Sequence, residues 1–194
     1  MFVAALSSGA PRMHDDLKII CWPDPRLLKR SAPVETFDAA LTALARRMLD
    51  LMREARGVGL AAPQVGVNVR LFVMNHSGQP ADERVYVNPV LSDPSGEEEG
   101  EEGCLSLPGI TARILRSTSI RMSAHDLSGN PIAETASGYV ARIWQHEVDH
   151  LNGILLMDRM SPVARLTHRK ALRELEARYL QDNPAPRGRR LALR

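Results

Sequence analysis

The segment QHEVDH, Gln145 to His150, constrains this chain more than any other. Its two histidines stand four residues apart inside a helical stripe formed by Val140, Ile143, Trp144, Val148 and Leu151. With Gly153 as a terminator, the spacing predicts a helix from about Ser137 to Leu151. On such a helix His146 and His150 project from one face, a turn apart, so both imidazoles can reach a single ion. Glu147 stands beside them. Neutral imidazole nitrogens suit a borderline-soft divalent cation, which acidifies a bound water to near neutral pH, and an adjacent carboxylate can carry the proton. The five residues alone leave open a plainer reading, two helix-surface histidines with a solvated glutamate. Asp149 points away from the shared face, which fits a partner for a ligand's other ring nitrogen, or a surface residue, better than a ligand. His14, His76, His125 and His168 lack the spacing altogether.

A catalytic centre of this kind needs a third protein ligand and an open position. Cys104, in EGCLS, is the candidate, and Gly103 before it allows close backbone approach. Taken singly, a cysteine reads as readily as a small buried hydrophobe. That is the reading for Cys21, in the apolar run LKIICW.

The remainder suits one globular domain. A chain of 194 residues can bury a core without disulfides, and its two cysteines are too few for a secreted disulfide framework, which favours a reducing cytoplasm. A net charge of +2 sets up no dominating field, so neither nucleic acid nor membrane binding is forced. No apolar run approaches the roughly 20 residues needed to cross a bilayer. Residues 1–16 lack the pattern of a secretory signal and carry a single arginine, slender support for an organellar transit peptide; a disordered extension is expected there. Residues 17–182 are expected to form the catalytic domain, and residues 183–194 a flexible basic tail.

Along that domain, Phe37, Leu41, Leu44, Met48, Leu51 and Met52 predict a helix capped by Thr36 and stopped at Gly57. Short strands are predicted around Leu71 to Met74, Val85 to Leu91 and Ile120 to His125, with a hairpin at Ser128 to Asn130. PSGEEEGEE, before Cys104, reads as a solvated loop. A further helix should start at Ser161 and Pro162 and bury Val163, Leu166, Leu172, Leu175 and Tyr179.

Three segments, GVGLAAPQ at Gly57 to Gln64, EGCLS at Glu102 to Ser106 and QHEVDHLNG at Gln145 to Gly153, together resemble the three motifs of the peptide deformylases in order and separation. The likeness runs from about Ile19 to Met160. It implies an α+β fold with antiparallel sheets around a central helix carrying the His-Glu-x-x-His motif, plus an N-terminal and a C-terminal helix. The implied reaction is removal of the N-formyl group from the formyl-methionine of new polypeptides, with release of formate. The implied cofactor is one divalent ion, Fe(II) in the cell, with Zn(II), Ni(II) or Co(II) able to take the same site.

The resemblance also implies roles. Cys104, His146 and His150 hold the ion. Glu147 acts as general base and then general acid. The Gln64 amide and the Leu105 N–H stabilise the oxyanion. Val58, Gly59, Gly103, Tyr139 and Ile143 receive the substrate, the two glycines through their backbones and the others around the methionine side chain. Glu102 and Arg116 match a supporting ion pair, for which an exposed position would give only about 0 to 1 kcal/mol. Arg142 has no assigned role, and Thr111 departs from the arginine that some bacterial members carry near the substrate.

A monomer acting on formylated nascent chains is expected, without DNA or membrane as partners. Some family members contact ribosomal RNA through the C-terminal helix. Here Arg165, Arg169, Lys170 and Arg173 would offer that contact, although Glu174 and Glu176 interrupt the basic face. Two rival readings are a peptidase built on the same helix and a binding module that has lost activity. The peptidase usually draws a third ligand from downstream, and the module is given no chemical reason for inactivity by this sequence.

Overall fold

The computed structural model describes residues 14–184. Most of the expected N-terminal extension and all but the first two residues of the expected tail lie outside the described residues.

Helix α1 spans Ala39–Glu54 and buries Leu41, Leu44, Met48, Leu51 and Met52, the predicted stripe. Its cap is Asp38 rather than Thr36: the Asp38 carboxylate accepts the Leu41 N–H at 2.9 Å, meeting one of the donors a helix start leaves unpaired. Phe37 therefore precedes the helix, and its ring packs on that of His125, centroids 5.8 Å apart. The chain reverses at Arg56, in the left-handed region at φ 55°, and the Gly57 N–H then donates to the Met52 carbonyl.

Seven strands follow among the described residues. β1 (Gly59–Ala61), β2 (Leu71–Met74), β3 (Arg84–Ser95), β6 (Ser119–His125) and β7 (Pro131–Ser137) form one antiparallel sheet in the order β1-β2-β3-β6-β7. β4 (Glu98–Gly103) and β5 (Thr111–Arg116) form a separate antiparallel pair. β3 runs four residues past its predicted end. Asn88 and Asp93, both at positive φ, sit where its register with β6 shifts, and asparagine and aspartate tolerate that conformation better than other side chains. The acid-rich stretch expected to be a loop is largely β4. Only Glu102 of its four glutamates is buried, so an edge strand here carries the composition of a loop.

Helix α2 (Gly138–Leu151) packs on β1, β2, β3, β6 and β7 and buries Ala141, Ile143, Trp144, Val148 and Leu151. The Trp144 ring meets Tyr86 edge-on, and Gln145 ties the helix to Ser117 through both the N–H and the carbonyl of that residue. After α3 (Leu156–Arg159) come α4 (Pro162–Thr167) and α5 (Arg169–Asp182). The Ser161 hydroxyl caps α4 as expected, but the chain breaks at His168. That break shifts the helical phase, leaving Val163 and Leu166 75% and 67% exposed while Leu172 and Leu175 are buried.

Three apolar clusters result. Leu44, Met48, Leu60 and Leu71 join α1 to the sheet; Phe72, Tyr86, Met122 and Trp144 join α2 to it; Leu107, Ile110 and Ile114 join the smaller sheet to Leu156, Leu172 and Leu175. Each such side chain contributes about 1.5 to 3 kcal/mol on burial. Among the described residues no helix is long and apolar enough to cross a membrane.

Candidate metal centre

The three clusters meet at the thiol and the two imidazoles. Cys104 follows the end of β4 and belongs to the third cluster, while α2 brings His146 and His150 from the second. One ligand atom from each lies within 4.8 Å of the others, and the Cys104 Sγ is 3.3 Å from the His150 Nε2. His146 points its Nδ1 at the Glu102 Oε2, 2.9 Å away, which leaves Nε2 for an ion. A soft thiolate and two imidazoles match the donors that zinc and iron(II) accept, so the residues fit a divalent cation.

Protonation is set by burial and charge. Burial and the positive groups at His146 and Arg116 hold the His150 pKa well below the ordinary value, keeping it a neutral ligand. At His146 burial works the same way, but hydrogen bonds to Cys104 and Glu102 outweigh it and push the pKa well up. A cation entering the site must expel that proton, so uptake of the ion releases acid. Burial raises Glu147 to about 7, against the opposing charge of His146. Its Oε2 is buried without a hydrogen-bond partner among the described residues, and its Oε1 crowds the position that a Cβ on Gly59 would take.

Gln64 is fixed with equal care. It lies on a 3-10 turn, Ala62–Val65, where its Oε1 accepts the Ala61 N–H at 2.8 Å. That bond turns its Nε2 toward the Cys104 Sγ, 3.7 Å away, and the Ser106 hydroxyl, 3.3 Å away. The predicted substrate positions Val58, Gly59, Gly103, Tyr139 and Ile143 line one cavity of about 450 Å³ together with Gln64, Leu105, His146 and Glu147. Cys104 lines it as well, whereas His150 stands behind the wall. Gly59 is on β1, an edge of its sheet, and Gly103 ends β4, so two strand edges border the cavity. Tyr139 is 55% exposed and so forms an outer wall.

Behind the ligands is a charge network of which the motifs reveal only a part. Glu102 and Arg116 do pair, at 2.9 and 3.0 Å, but both are buried rather than exposed. Burial alone would raise the Glu102 pKa; hydrogen bonds from His146 and Arg116 reverse this and hold it at about 2. Arg142 donates to the same carboxylate at 2.8 Å and to the Ile114 and Glu98 carbonyls, in space that a side chain on Gly100 would fill. The acceptor for His146 is thus Glu102, and Asp149 instead binds Arg116 and Arg159. Sequence reasoning missed Ser106 and Arg159, and left Arg142 open. Only the alternation of β5, which buries Ala112, Ile114 and Arg116, marks a buried charge in advance.

Known proteins share both the sequence and the fold of this chain. The family model described as polypeptide deformylase matches residues 16–166. The chloroplastic peptide deformylase 1B of Oryza sativa is 45% identical over 84% of this chain, which spans 62% of that relative's length. The peptide deformylase of Rhodopirellula baltica is 42% identical over 82% of this chain and 77% of its own. A crystal structure of peptide deformylase from Plasmodium falciparum, 37% identical, superimposes with a TM-score of 0.83 over 87% of this chain and all of that one. With family model, relatives and fold in accord, this chain belongs to the peptide deformylase family.

Proposed function

We propose that Glu147, Gln64 and Leu105 carry catalysis at one divalent ion held by Cys104, His146 and His150. The reaction is that of the family, metal-dependent hydrolysis that removes the N-formyl group from newly synthesised polypeptides. The observation that carries the assignment is the convergence of three ligand atoms within 4.8 Å, beside Glu147, whose buried Oε2 has no hydrogen-bond partner among the described residues.

When bound, the ion supplies Lewis acidity, polarising the formyl carbonyl and acidifying water. The chain does the rest. The Glu147 carboxylate takes the proton of the attacking water and returns it to the leaving amine, acting as general base and then as general acid. The Gln64 Nε2, its amide already oriented by Ala61, donates to the oxygen on which charge develops, with the Leu105 N–H as second donor. Val58, Tyr139 and Ile143 wall the methionine side chain, and Gly59 and Gly103 hold the peptide backbone from the two strand edges. Glu102 fixes the His146 ring, and Arg116 and Arg142 fix Glu102.

Fe(II) is the ion we assign in the cell, with Zn(II), Ni(II) and Co(II) as replacements; the thiolate and imidazole donors support this set. Residues 17–182 act as one catalytic unit and as a monomer. Two free cysteines support a reducing, cytoplasmic setting. Ribosome contact through α4 and α5 is supported by Arg165, Arg169, Lys170 and Arg173 beside the exposed Val163 and Leu166. Salt should weaken ribosome cosedimentation steeply.

The decisive experiment pairs metal analysis of anaerobically purified protein with formate release from formyl-methionyl peptides. We expect one ion per chain, formate as product, and a loss of about a thousandfold in kcat for Glu147→Gln with the ion retained. Cleavage of unformylated peptides without formate would make the chain a peptidase. No turnover by ion-loaded protein would make it a binding module.

A further inference from the structure

The opposite side of α2 borders a second cavity. His146 and Glu147 face the first, whereas Gln145, Val148, Asp149 and Asn152 line one of about 790 Å³ on the other side. Four arginines, Arg30, Arg70, Arg116 and Arg159, line it against two carboxylates, Asp149 and Glu97. Asp149 is already taken by Arg116 and Arg159, and Arg116 also by Glu102. Glu97 is exposed and makes no ion pair among the described residues.

Arg30 and Arg70 remain. Among the described residues Arg70 donates only to neutral acceptors, the Asn152 Oδ1 at 3.0 Å and the Pro89 carbonyl at 2.9 Å. The Arg30 side chain makes no hydrogen bond or ion pair among the described residues. Burial, and then the nearby charge of Arg30, depress the Arg70 pKa, so the two cations sense each other. Two like charges at one wall repel until an anion joins them. Ser31, also in the wall, has a buried hydroxyl without a hydrogen-bond partner among the described residues.

We infer that this cavity binds a phosphate group between Arg30 and Arg70, as free phosphate or as a phosphomonoester. The number of oxygens decides between oxyanions: a phosphate can engage both guanidiniums and the Ser31 hydroxyl at once, whereas a carboxylate has two oxygens for these three groups. The exposed side chains of Val90 and Leu115 line the same cavity and offer an ester an apolar seat.

The test titrates the full-length, zinc-loaded chain with inorganic phosphate, phenyl phosphate and acetate at fixed ionic strength, read by amide NMR shifts. Both phosphates should give saturable shifts at Ser31, Arg70 and Asn152, and acetate much weaker ones. Tighter binding of phenyl phosphate identifies an ester ligand and equal binding free phosphate, and both results support the site. Arg30→Gln, at an exposed position outside the proposed machinery, should weaken phosphate about tenfold while leaving formate release and the melting temperature unchanged. Arg70→Gln should abolish saturation. Phosphate shifts confined to Gly59 and Leu105, acetate binding as tight as phosphate, or wild-type affinity in Arg30→Gln would overturn the inference.

Discussion

At the scale of single residues, Gly59 is the most exposed to test. A Cβ there would stand 2.3 Å from the Glu147 Oε1 and 2.8 Å from its Cδ. Only a glycine lets the proposed proton carrier lie against β1. Gly59→Ala should therefore push the carboxylate aside and lower kcat about a hundredfold, since small misplacements of a catalytic group cost that much. The obstacle is one side chain and not backbone, so the melting temperature should move little. Stopped-assay kinetics alongside calorimetry checks both halves, and an unchanged kcat would disprove the close approach. The shared face of His146 and His150, with Glu147 beside them, was legible in the sequence because helical spacing fixes it, whereas Cys104 came from the EGCLS segment and the family resemblance. Arg142 and Asp149 were not, because their partners lie on other elements and no local pattern announces them.

Among the elements, α1 shows where local signals compete. Thr36 and Asp38 are both good caps, and the first apolar residue, Phe37, favoured Thr36 on pattern alone. Phe37 instead packs on His125, and the cap moves to Asp38. Asp38→Ala should cost about 1 kcal/mol in urea denaturation, and Thr36→Ala close to nothing. Equal losses would restore the original cap. β4 escaped notice for a related reason. An edge strand bonded on one side needs no apolar alternation, and five of its six residues are not buried. The helix at residues 169–182 was expected to continue from Pro162, but the turn at His168 makes two helices whose buried faces do not align.

For the whole molecule, stability in acid rests on buried carboxylates. Glu102 has a pKa of about 2 in the fold against an ordinary 4.5, so folding favours its ionised form. Its contribution is complete above about pH 4.5 and is lost as pH falls toward 2. Denaturation midpoints should fall across that window, and in Glu102→Gln the fall should be shallower on a lower baseline. A mutant with the same slope as the parent would move the acid sensitivity elsewhere. The order of most elements followed from periodicity, and the α+β class from the resemblance carried by the three motifs. The pairing of β1 at one sheet edge and β7 at the other did not, because register depends on contacts far apart in the chain.

One further property follows from the meeting of three apolar clusters around Cys104, His146 and His150. The thiol belongs to one cluster and the imidazole-bearing helix to another, while Leu105 leans on the third. A bound cation would act as a cross-link between separately packed bodies, and its removal would let them open independently. Chelation should then speed hydrogen exchange in β4 and α2 together, while the α1 amides keep their protection. Loss of protection confined to the ligand-bearing turns would mean that the bodies hold together without it.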